Sequence, residues 1–297
     1  MSLVHILTLI AKPLTDDHVR IALAALPPGT AVDWLAPGQA CDLRFSSPTD
    51  AEMDAVDGAA RQALAGAPVD LFCQPDGPVR RRQLLVADMD STIITTECID
   101  EMAGVLGLKA QVAAITERAM AGEIGFAEAL RERAGMLAGL AESDLQAVYD
   151  QRIRLNPGAR ELVSTMRAHG AHTALVSGGF SFFTERVAAA AGFDQHQANR
   201  LCFVAGKLDG RVGEPILGQE EKLTVLRSLA TQQNLAVEAT LAVGDGANDL
   251  AMVKAAGLGV AYHAKPVLAR AALARIDHGD LTALLYLQGY RAEQIQS

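Results

Sequence analysis

The chain has 297 residues, of which 50% are apolar and 21% charged. The length is enough for about two folded domains, and the apolar content excludes a disordered chain. Acidic residues outnumber basic ones, and the formal net charge is −9 at pH 7. Since no basic run is long enough to follow a phosphate backbone, no nucleic-acid partner is expected.

Neither the cysteines nor the start of the chain points to export or to a membrane. The cysteines are far apart, with no CxxC pair for zinc and no spacing typical of a disulfide framework: Cys41, Cys73, Cys98 and Cys202. The apolar run Val4 to Ala11 follows no basic residue and is shorter than the roughly 20 residues that cross a bilayer. It predicts a buried strand, and we expect a cytoplasmic protein with no membrane partner.

The first 78 residues predict a small α+β domain. Strand and helix patterns alternate as β-α-β-β-α-β in the segments Val4 to Ile10, Asp16 to Leu26, Ala31 to Ser46, Met53 to Leu64 and Val69 to Cys73. Ala31 to Ser46 holds two strands, which are broken at Pro37 and Gly38. This order is that of the ferredoxin-like fold, which amino-acid-sensing domains of the ACT type resemble. The stretch Gln74 to Arg82 predicts a domain boundary, so that a second domain covers residues 83–297.

From Gln83 onward, short apolar runs alternate with helical stretches, which is typical of a parallel α/β sheet. The predicted strands are Leu84 to Ala87, Thr173 to Val176, Thr240 to Val243 and Gly257 to Ala261. Between the first two, Cys98 to about Arg160 has helical periodicity and almost no strand character. This stretch is too long for a simple crossover. We therefore expect a doubly wound parallel sheet with a helical cap inserted at about 98–160.

Polar loops follow three of these strands. Asp88 and Asp90 come after the first strand, Ser177-Gly178-Gly179 after the second, and Gly244 to Asp249 after the third, while Lys222 begins a helical stretch. Taken singly, each loop has an ordinary explanation as a helix cap or a tight turn, and the lysine as a solvated side chain. Ligands of open parallel sheets bind beyond the carboxyl ends of the strands, so these loops are expected to meet at one site.

Carboxylates from two of these loops predict a metal site. Asp88 and Asp245 offer the oxygen ligands that Mg²⁺ prefers, and Mg²⁺ commonly binds together with a substrate phosphate. Small glycine loops and a serine hydroxyl nearby are suited to binding an anion.

These motifs resemble those of the haloacid dehalogenase-like (HAD) phosphatases: DxDxT at Asp88 to Thr92, the Ser-Gly-Gly loop, the lysine and GDGAND. Within that superfamily, DMDSTIITTECIDE from Asp88 and TERAMAGEIGFAEALRER from Thr116 resemble the phosphoserine phosphatases. The resemblance runs from about Gln83 over some two-thirds of the chain and fails at no motif position. It implies a HAD-like fold, Mg²⁺ as cofactor, O-phospho-L-serine as the small-molecule substrate, and the last step of L-serine biosynthesis as the reaction.

The resemblance also implies roles for the motif residues. Asp88 attacks phosphorus to give an aspartyl-phosphate, and Asp90 protonates the leaving serine oxygen and later activates water. Mg²⁺ is held by Asp88, Asp245 and the backbone carbonyl of Asp90, and Mg²⁺ with Lys222 should keep Asp88 ionised. The residues implied to bind the phosphoryl group or the substrate are Ser177, the Gly178 amide, Lys222 and Asn248. Asp249 is implied to support the metal-binding loop.

Substrate choice is expected to come from the cap. A serine phosphate carries an ammonium and a carboxylate, which require an acidic and a basic side chain. Glu97 and Arg133 match those positions of the family, and Met120 with Phe126 match apolar positions that cover the substrate. Without the resemblance, these residues are more simply a helix-terminal charge, a solvated arginine and two core residues.

Two other interpretations remain open from the sequence. The same machinery could act on another small phosphomonoester or transfer phosphate to an acceptor alcohol. Alternatively, the chain could be a regulator, with an N-terminal unit that binds an amino acid and a sheet domain that senses phosphate. Residues 1–78 carry no family motif, and we expect them to serve regulation or homodimer contacts as an ACT-like domain.

Overall fold

An antiparallel sheet forms the N-terminal part of the structure, a computed structural model that describes residues 3–47, 50–120 and 123–297. Its elements are β1 (Leu3–Ile10), α1 (Asp16–Leu23), β2 (Ala31–Ala36), β3 (Ala40–Ser47), α2 (Asp50–Ala63) and β4 (Asp70–Pro75). The strands lie in the order β2-β3-β1-β4, with every neighbouring pair antiparallel. The elements thus follow one another as the sequence predicts. An ACT-like role for this part of the chain stays a prediction.

A parallel sheet of six strands forms the second part, and it confirms the predicted α/β fold class. The strands that follow β4 are β5 (Leu84–Ala87), β6 (His172–Phe180), β7 (Gln195–Asn199), β8 (Leu201–Val204), β9 (Lys207–Val212), β10 (Thr240–Gly244), β11 (Leu258–Tyr262) and β12 (Ala274–Ile276). The sheet order is β12-β11-β10-β5-β6-β7, while β8 and β9 pair with each other as a hairpin. Leu85 and Ala87 of β5 enter one apolar cluster and Leu84 and Val86 another. Because both faces of β5 are covered, its sequence is apolar throughout.

Helices cover the sheet and build the cap. The cap helices are α3 (Cys98–Val105), α4 (Lys109–Met120), α5 (Phe126–Met136) and α6 (Glu142–Arg152). The helices after them are α7 (Ala159–Ala168), α8 (Ser181–Ala191), α9 (Gln219–Gln232), α10 (Leu250–Ala255), α11 (Pro266–Ala269) and α12 (Ala283–Leu287). Ile94 and Leu155 form an antiparallel bridge where the chain leaves the sheet domain for the cap and returns. The boundaries proposed at 78–83 and at 98–160 stay proposals.

The structure differs from the predicted elements in several places. Helix α1 ends at Leu23 and not at Leu26, because the chain tightens into turns with Leu26 N–H bonded to the Leu23 carbonyl ahead of Pro27. Strand β6 extends to Phe180, so the Ser-Gly-Gly segment lies within the strand's span and not beyond its end. Strands β7, β8, β9 and β12 were not predicted. Among the described residues, we find no helix with the length and apolar character needed to cross a membrane.

Arg80 connects the N-terminal sheet to helix α12 through a buried ion pair and a hydrogen bond. Its Nη1 and Nη2 atoms lie 2.7 and 2.8 Å from the two carboxylate oxygens of Asp42 in β3. The same guanidinium donates from Nε to the Leu287 carbonyl at 3.0 Å. The two charged side chains are 9% and 2% exposed. A buried carboxylate with a bidentate arginine partner is stable only while that partner is present.

Replacing Arg80 with methionine should therefore destabilise the fold. The change Arg80→Met leaves the Asp42 carboxylate buried without its cation, and we expect a loss of about 3–5 kcal/mol in the free energy of unfolding. Urea denaturation measures this. The matched control is Arg20→Met, because Arg20 pairs with Asp17 at 3.0 Å on the exposed surface of α1, where a loss under about 1 kcal/mol is expected. Equal losses in the two variants would contradict a stabilising role for the Arg80 pair.

Candidate active site

The carboxyl end of β5 delivers the first acidic residue of the site. Asp88 directly follows the buried strand, and its backbone N–H donates to the Val243 carbonyl of the neighbouring strand β10 at 3.0 Å. Its side chain is only 5% exposed. This contact fixes Asp88 at the sheet edge next to the loop that follows β10, as the parallel arrangement predicts.

Lys222 lies between two buried carboxylates. Its Nζ atom is 2.6 Å from Asp88 Oδ1 and 2.7 Å from Asp249 Oδ1. Helix α9 places this lysine in its first turn, and the side chain is 1% exposed. Burial opposes the charged form of Lys222, but Asp249 and Asp88 outweigh burial and raise its pKa. The ordinary alternative of a solvated lysine is therefore wrong, and Lys222 is a buried cation held between two carboxylates.

Asp249 organises the loop after β10. Its Oδ2 atom accepts hydrogen bonds from the backbone N–H groups of Asp245 and Gly246 at 3.2 and 3.1 Å. A Cβ atom on Gly244 would lie 2.3 Å from the Asp249 carboxyl carbon, so only glycine fits there. Both oxygens of Asp249 are thus engaged by the protein itself, which is consistent with the predicted supporting role.

Three buried carboxylates converge near Lys222. Single oxygens of Asp88, Asp245 and Asp249 all lie within 4.8 Å of one another. Asp245 has a freer carboxylate than Asp249, since its side-chain ion pair is with the half-exposed Lys265 at 3.5 Å. Asp88, Asp245 and the backbone carbonyl of Asp90 were predicted as metal ligands, and all three assignments stay predictions.

Burial strongly affects the acids of this cluster. Burial raises the pKa of Asp88, and the negative charge of Asp249 raises it further, against the opposing effect of Lys222. Burial likewise raises the pKa of Asp245 to about 6, although Lys265 lowers it. Lys222 thus opposes the rise in the pKa of Asp88 without cancelling it, and the expectation that Mg²⁺ together with Lys222 keeps Asp88 ionised stays a prediction. The charge balance of the cluster favours an additional cation.

Asp90 lies between the start of helix α3 and the Ser177–Gly179 segment of β6. Its Oδ1 atom accepts the backbone N–H of Cys98 at 2.8 Å, and its Oδ2 atom accepts the Ser177 hydroxyl at 3.3 Å. Burial raises the pKa of Asp90 to about 7, and the negative charge of Glu97 adds to the rise. A carboxyl group with this pKa can give and take a proton near neutral pH, as a general acid and base must.

The Ser177–Gly179 segment lies close to Asp90. Gly179 N–H donates to Ser177 Oγ at 2.9 Å. A Cβ atom on Gly179 would come within 2.9 Å of Asp90 Oδ2, and one on Gly178 within 3.0 Å of the Phe126 ring. The two glycines therefore allow a close approach of backbone, carboxylate and aromatic ring that a larger residue would prevent.

The cap brings further predicted residues to this pocket. Glu97 precedes α3 and accepts the Ser91 hydroxyl at 2.8 Å. Arg133 donates from Nη1 to Thr116 Oγ1 at 3.2 Å. Burial lowers the pKa of Arg133, while the charges of Asp100 and Glu97 oppose that shift; this half-buried arginine is therefore not simply solvated.

The other predicted residues are placed as follows. Phe126 begins α5, and its ring lies against Gly178 and Gly218. Asn248 is half-buried in the loop after β10. Met120 ends α4, but its side chain lies outside the described part of the chain.

Several neighbours of the site were not predicted. Cys98 contributes a backbone N–H to Asp90, Thr116 contacts Arg133, and Lys265 contacts Asp245. Cys98 and Thr116 belong to the two motif stretches quoted above. A hydrogen bond from a backbone N–H, as at Cys98, or a contact between two adjacent helices, as at Thr116, cannot be recognised from the residue type. Lys265 stands outside every motif, and only the three-dimensional structure brings it to Asp245.

Comparison with known proteins agrees with this architecture. Residues 85–254 match the haloacid dehalogenase-like hydrolase family. A phosphoserine phosphatase from Polaromonas sp. is 45% identical over 218 residues, which are 72% of this chain and 92% of that protein. A phosphoserine phosphatase from Mycobacterium tuberculosis is 37% identical over 302 residues, covering 99% of this chain and 73% of that protein.

A solved structure is similar over nearly the whole chain. The unliganded crystal structure of a probable phosphoserine phosphatase from Vibrio cholerae has a TM-score of 0.79 and 32% sequence identity, and the match covers 98% of this chain and 88% of that one. The similarity thus extends beyond the sheet domain and includes the N-terminal antiparallel sheet.

Proposed function

This chain belongs to the phosphoserine phosphatases of the haloacid dehalogenase-like hydrolase family, and we propose that it hydrolyses O-phospho-L-serine to L-serine and phosphate through an aspartyl-phosphate at Asp88. The observation that carries the proposal is the contact of a buried Asp88 with the buried cation Lys222 at 2.6 Å, beside Asp90 and the Ser177–Gly179 segment. In this proposal Asp88 is the nucleophile, Asp90 the proton donor, and the Ser177–Gly179 segment with Lys222 the anion-binding group.

The donor set of the site fits Mg²⁺. Oxygen atoms of Asp88, Asp245 and Asp249 converge within 4.8 Å, and all three carboxylates are buried, two of them in contact with Lys222. Hard oxygen donors with excess negative charge suit Mg²⁺ better than Zn²⁺. In our proposal Asp88, Asp245 and the Asp90 carbonyl hold the ion, which supplies positive charge for the phosphoryl oxygens when it is bound.

Two displacements at phosphorus make up the reaction. In the first, an Asp88 oxygen forms a bond to phosphorus while the bond to the serine oxygen breaks, and Asp90 gives its proton to that oxygen. In the second, Asp90 takes a proton from water as the water oxygen attacks the aspartyl-phosphate. Phosphate leaves and the Asp88 carboxylate is regenerated. Ser177, the Gly178 amide and Lys222 hold the phosphoryl oxygens in both steps, and Asn248 orients the phosphate.

Recognition of the serine part is assigned to the cap. Glu97 is proposed to bind the ammonium group and Arg133 the carboxylate, with Phe126 and Met120 covering the substrate. The position of the Phe126 ring against Gly178 and Gly218 supports this role, because it closes the space beside the phosphate-binding segment.

We extend the proposal to the rest of the molecule. The enzyme is proposed to act in the cytoplasm, in the last step of serine biosynthesis. The N-terminal antiparallel sheet is proposed to serve regulation by an amino acid or contacts in a homodimer. Its ferredoxin-like strand order supports a separate ACT-like module.

The nucleophile assignment predicts the effect of Asp88→Asn. The amide has nearly the same shape and can still accept a hydrogen bond from Lys222, but it cannot attack phosphorus, so kcat should fall about a thousandfold or more. Phosphate release from O-phospho-L-serine measures kcat, and circular dichroism checks the fold. The control Asp150→Asn changes an exposed aspartate of α6 and should keep full activity. Full activity of Asp88→Asn would overturn the assignment.

The assignment of Arg133 predicts a substrate-dependent effect. Arg133→Ala should lower kcat/KM for O-phospho-L-serine about tenfold or more, since a charge-assisted hydrogen bond is worth roughly 1.5–3 kcal/mol. Phosphoethanolamine, which lacks the carboxylate, should be hydrolysed with unchanged kcat/KM. Arg131→Ala is the matched control, because Arg131 lies on the same helix and pairs with Glu214 on the exposed surface. If both substrates suffer equally from Arg133→Ala, the proposed grip on the carboxylate is wrong.

A further inference from the structure

The side chain of Asn199 joins two segments that border the phosphate-binding pocket. Asn199 ends β7 and is 2% exposed. Its Nδ2 group donates to the Gly178 carbonyl at 2.8 Å and to the Leu217 carbonyl at 3.0 Å. Its Oδ1 atom accepts the Leu217 N–H at 2.6 Å. One buried carboxamide thus uses both of its N–H groups and its oxygen on backbone atoms.

The register of β6 and β7 explains why the backbone of Ser177–Gly179 needs a hydrogen-bond partner outside the sheet ladder. Val176 stands opposite Gln197 and Phe180 opposite Asn199, so the three residues Ser177–Gly179 face the single residue Ala198. The longer segment must arch away from the regular ladder, as in a β-bulge, and its backbone groups need other partners. The Asn199 side chain provides one for the Gly178 carbonyl.

The second segment leads to the buried lysine. Leu217 is followed by Gly218, which precedes the first residue of α9, and Lys222 lies in the first turn of that helix. The Phe126 ring rests against both Gly178 and Gly218. Asn199 therefore connects the backbone at Gly178 with the backbone at Leu217. The Phe126 ring of the cap packs against these same two segments.

We propose that Asn199 is a positioning residue for phosphoryl transfer, whose carboxamide sets the spacing between the Ser177–Gly178 phosphate-binding segment and the helix that carries Lys222. The inference rests on the proposed function of the site. Asn199 touches neither the reacting atoms nor the acidic cluster. It acts by holding the Gly178 carbonyl, and with it the adjoining peptide groups, in the orientation from which Ser177 and the Gly178 amide bind the phosphoryl oxygens.

Two substitutions at this position test the proposal. Asn199→Asp keeps the shape and can still accept the Leu217 N–H, but it places an oxygen against the Gly178 and Leu217 carbonyls. Asn199→Ser leaves a hydroxyl and room for water, and serves if the aspartate variant does not fold. In folded protein with Mg²⁺, we expect kcat for O-phospho-L-serine to fall about tenfold or more and inorganic phosphate to bind about tenfold more weakly by calorimetry.

Asp194→Ala is the matched control on the same pair of strands. Asp194 precedes β7 and accepts the N–H and the hydroxyl of Thr173 at 2.9 and 3.0 Å, at the end of β6 away from the pocket. This variant should lower the midpoint of urea unfolding while kcat and phosphate affinity stay within about twofold of the parent.

Two outcomes would overturn the inference: folded Asn199 variants with parental kcat and phosphate affinity, or an equal loss of both in Asp194→Ala. The phosphate titration also separates this inference from the proposed function. If the parent protein does not hydrolyse O-phospho-L-serine, the proposed substrate is wrong, while phosphate binding by the variants still decides the role of Asn199.

Discussion

The site depends on one constraint: charges buried at the sheet edge must be balanced by other charges at the same place. Lys222 lies 2.6 Å from Asp88 and 2.7 Å from Asp249, and removing this lysine would leave two buried carboxylates without their cation. The balance also fixes positions, since Asp249 holds the backbone of the loop that carries Asp245. The same electrostatics keep the lysine charged and leave negative charge over for a divalent cation.

Much of this arrangement could be predicted from the sequence, because the binding and catalytic residues of a parallel sheet lie beyond the carboxyl ends of its strands. Buried strands such as β5 and β10 are continuous apolar runs, and the residues that follow them are forced to one edge. Asp88 and Asp245 could therefore be placed together from their positions alone. The specific roles of Glu97 and Arg133 came from resemblance to a family, since their spacing alone fits an ordinary helix cap and a surface arginine equally well.

The features that escaped prediction lack a periodic or apolar signal. Strand β7 reads QHQAN and is mostly exposed at the edge of its sheet, so its sequence does not look like a strand. Asn199 was missed for the same reason, although it makes three buried hydrogen bonds. The contacts of Arg80 with Asp42 and of Lys265 with Asp245 join distant parts of the chain, and no local pattern encodes them.

The central claim is that a metal-assisted aspartate site in this chain selects a zwitterionic serine phosphate. The most direct test is phosphate release by the parent protein from O-phospho-L-serine, phosphothreonine, phosphoethanolamine and glycerol phosphate, each with and without Mg²⁺. We expect turnover that requires Mg²⁺ and is fastest with O-phospho-L-serine, because that substrate alone offers both the ammonium and the carboxylate without an added methyl group. Equal turnover rates with and without Mg²⁺, or equal rates with glycerol phosphate and O-phospho-L-serine, would contradict this expectation.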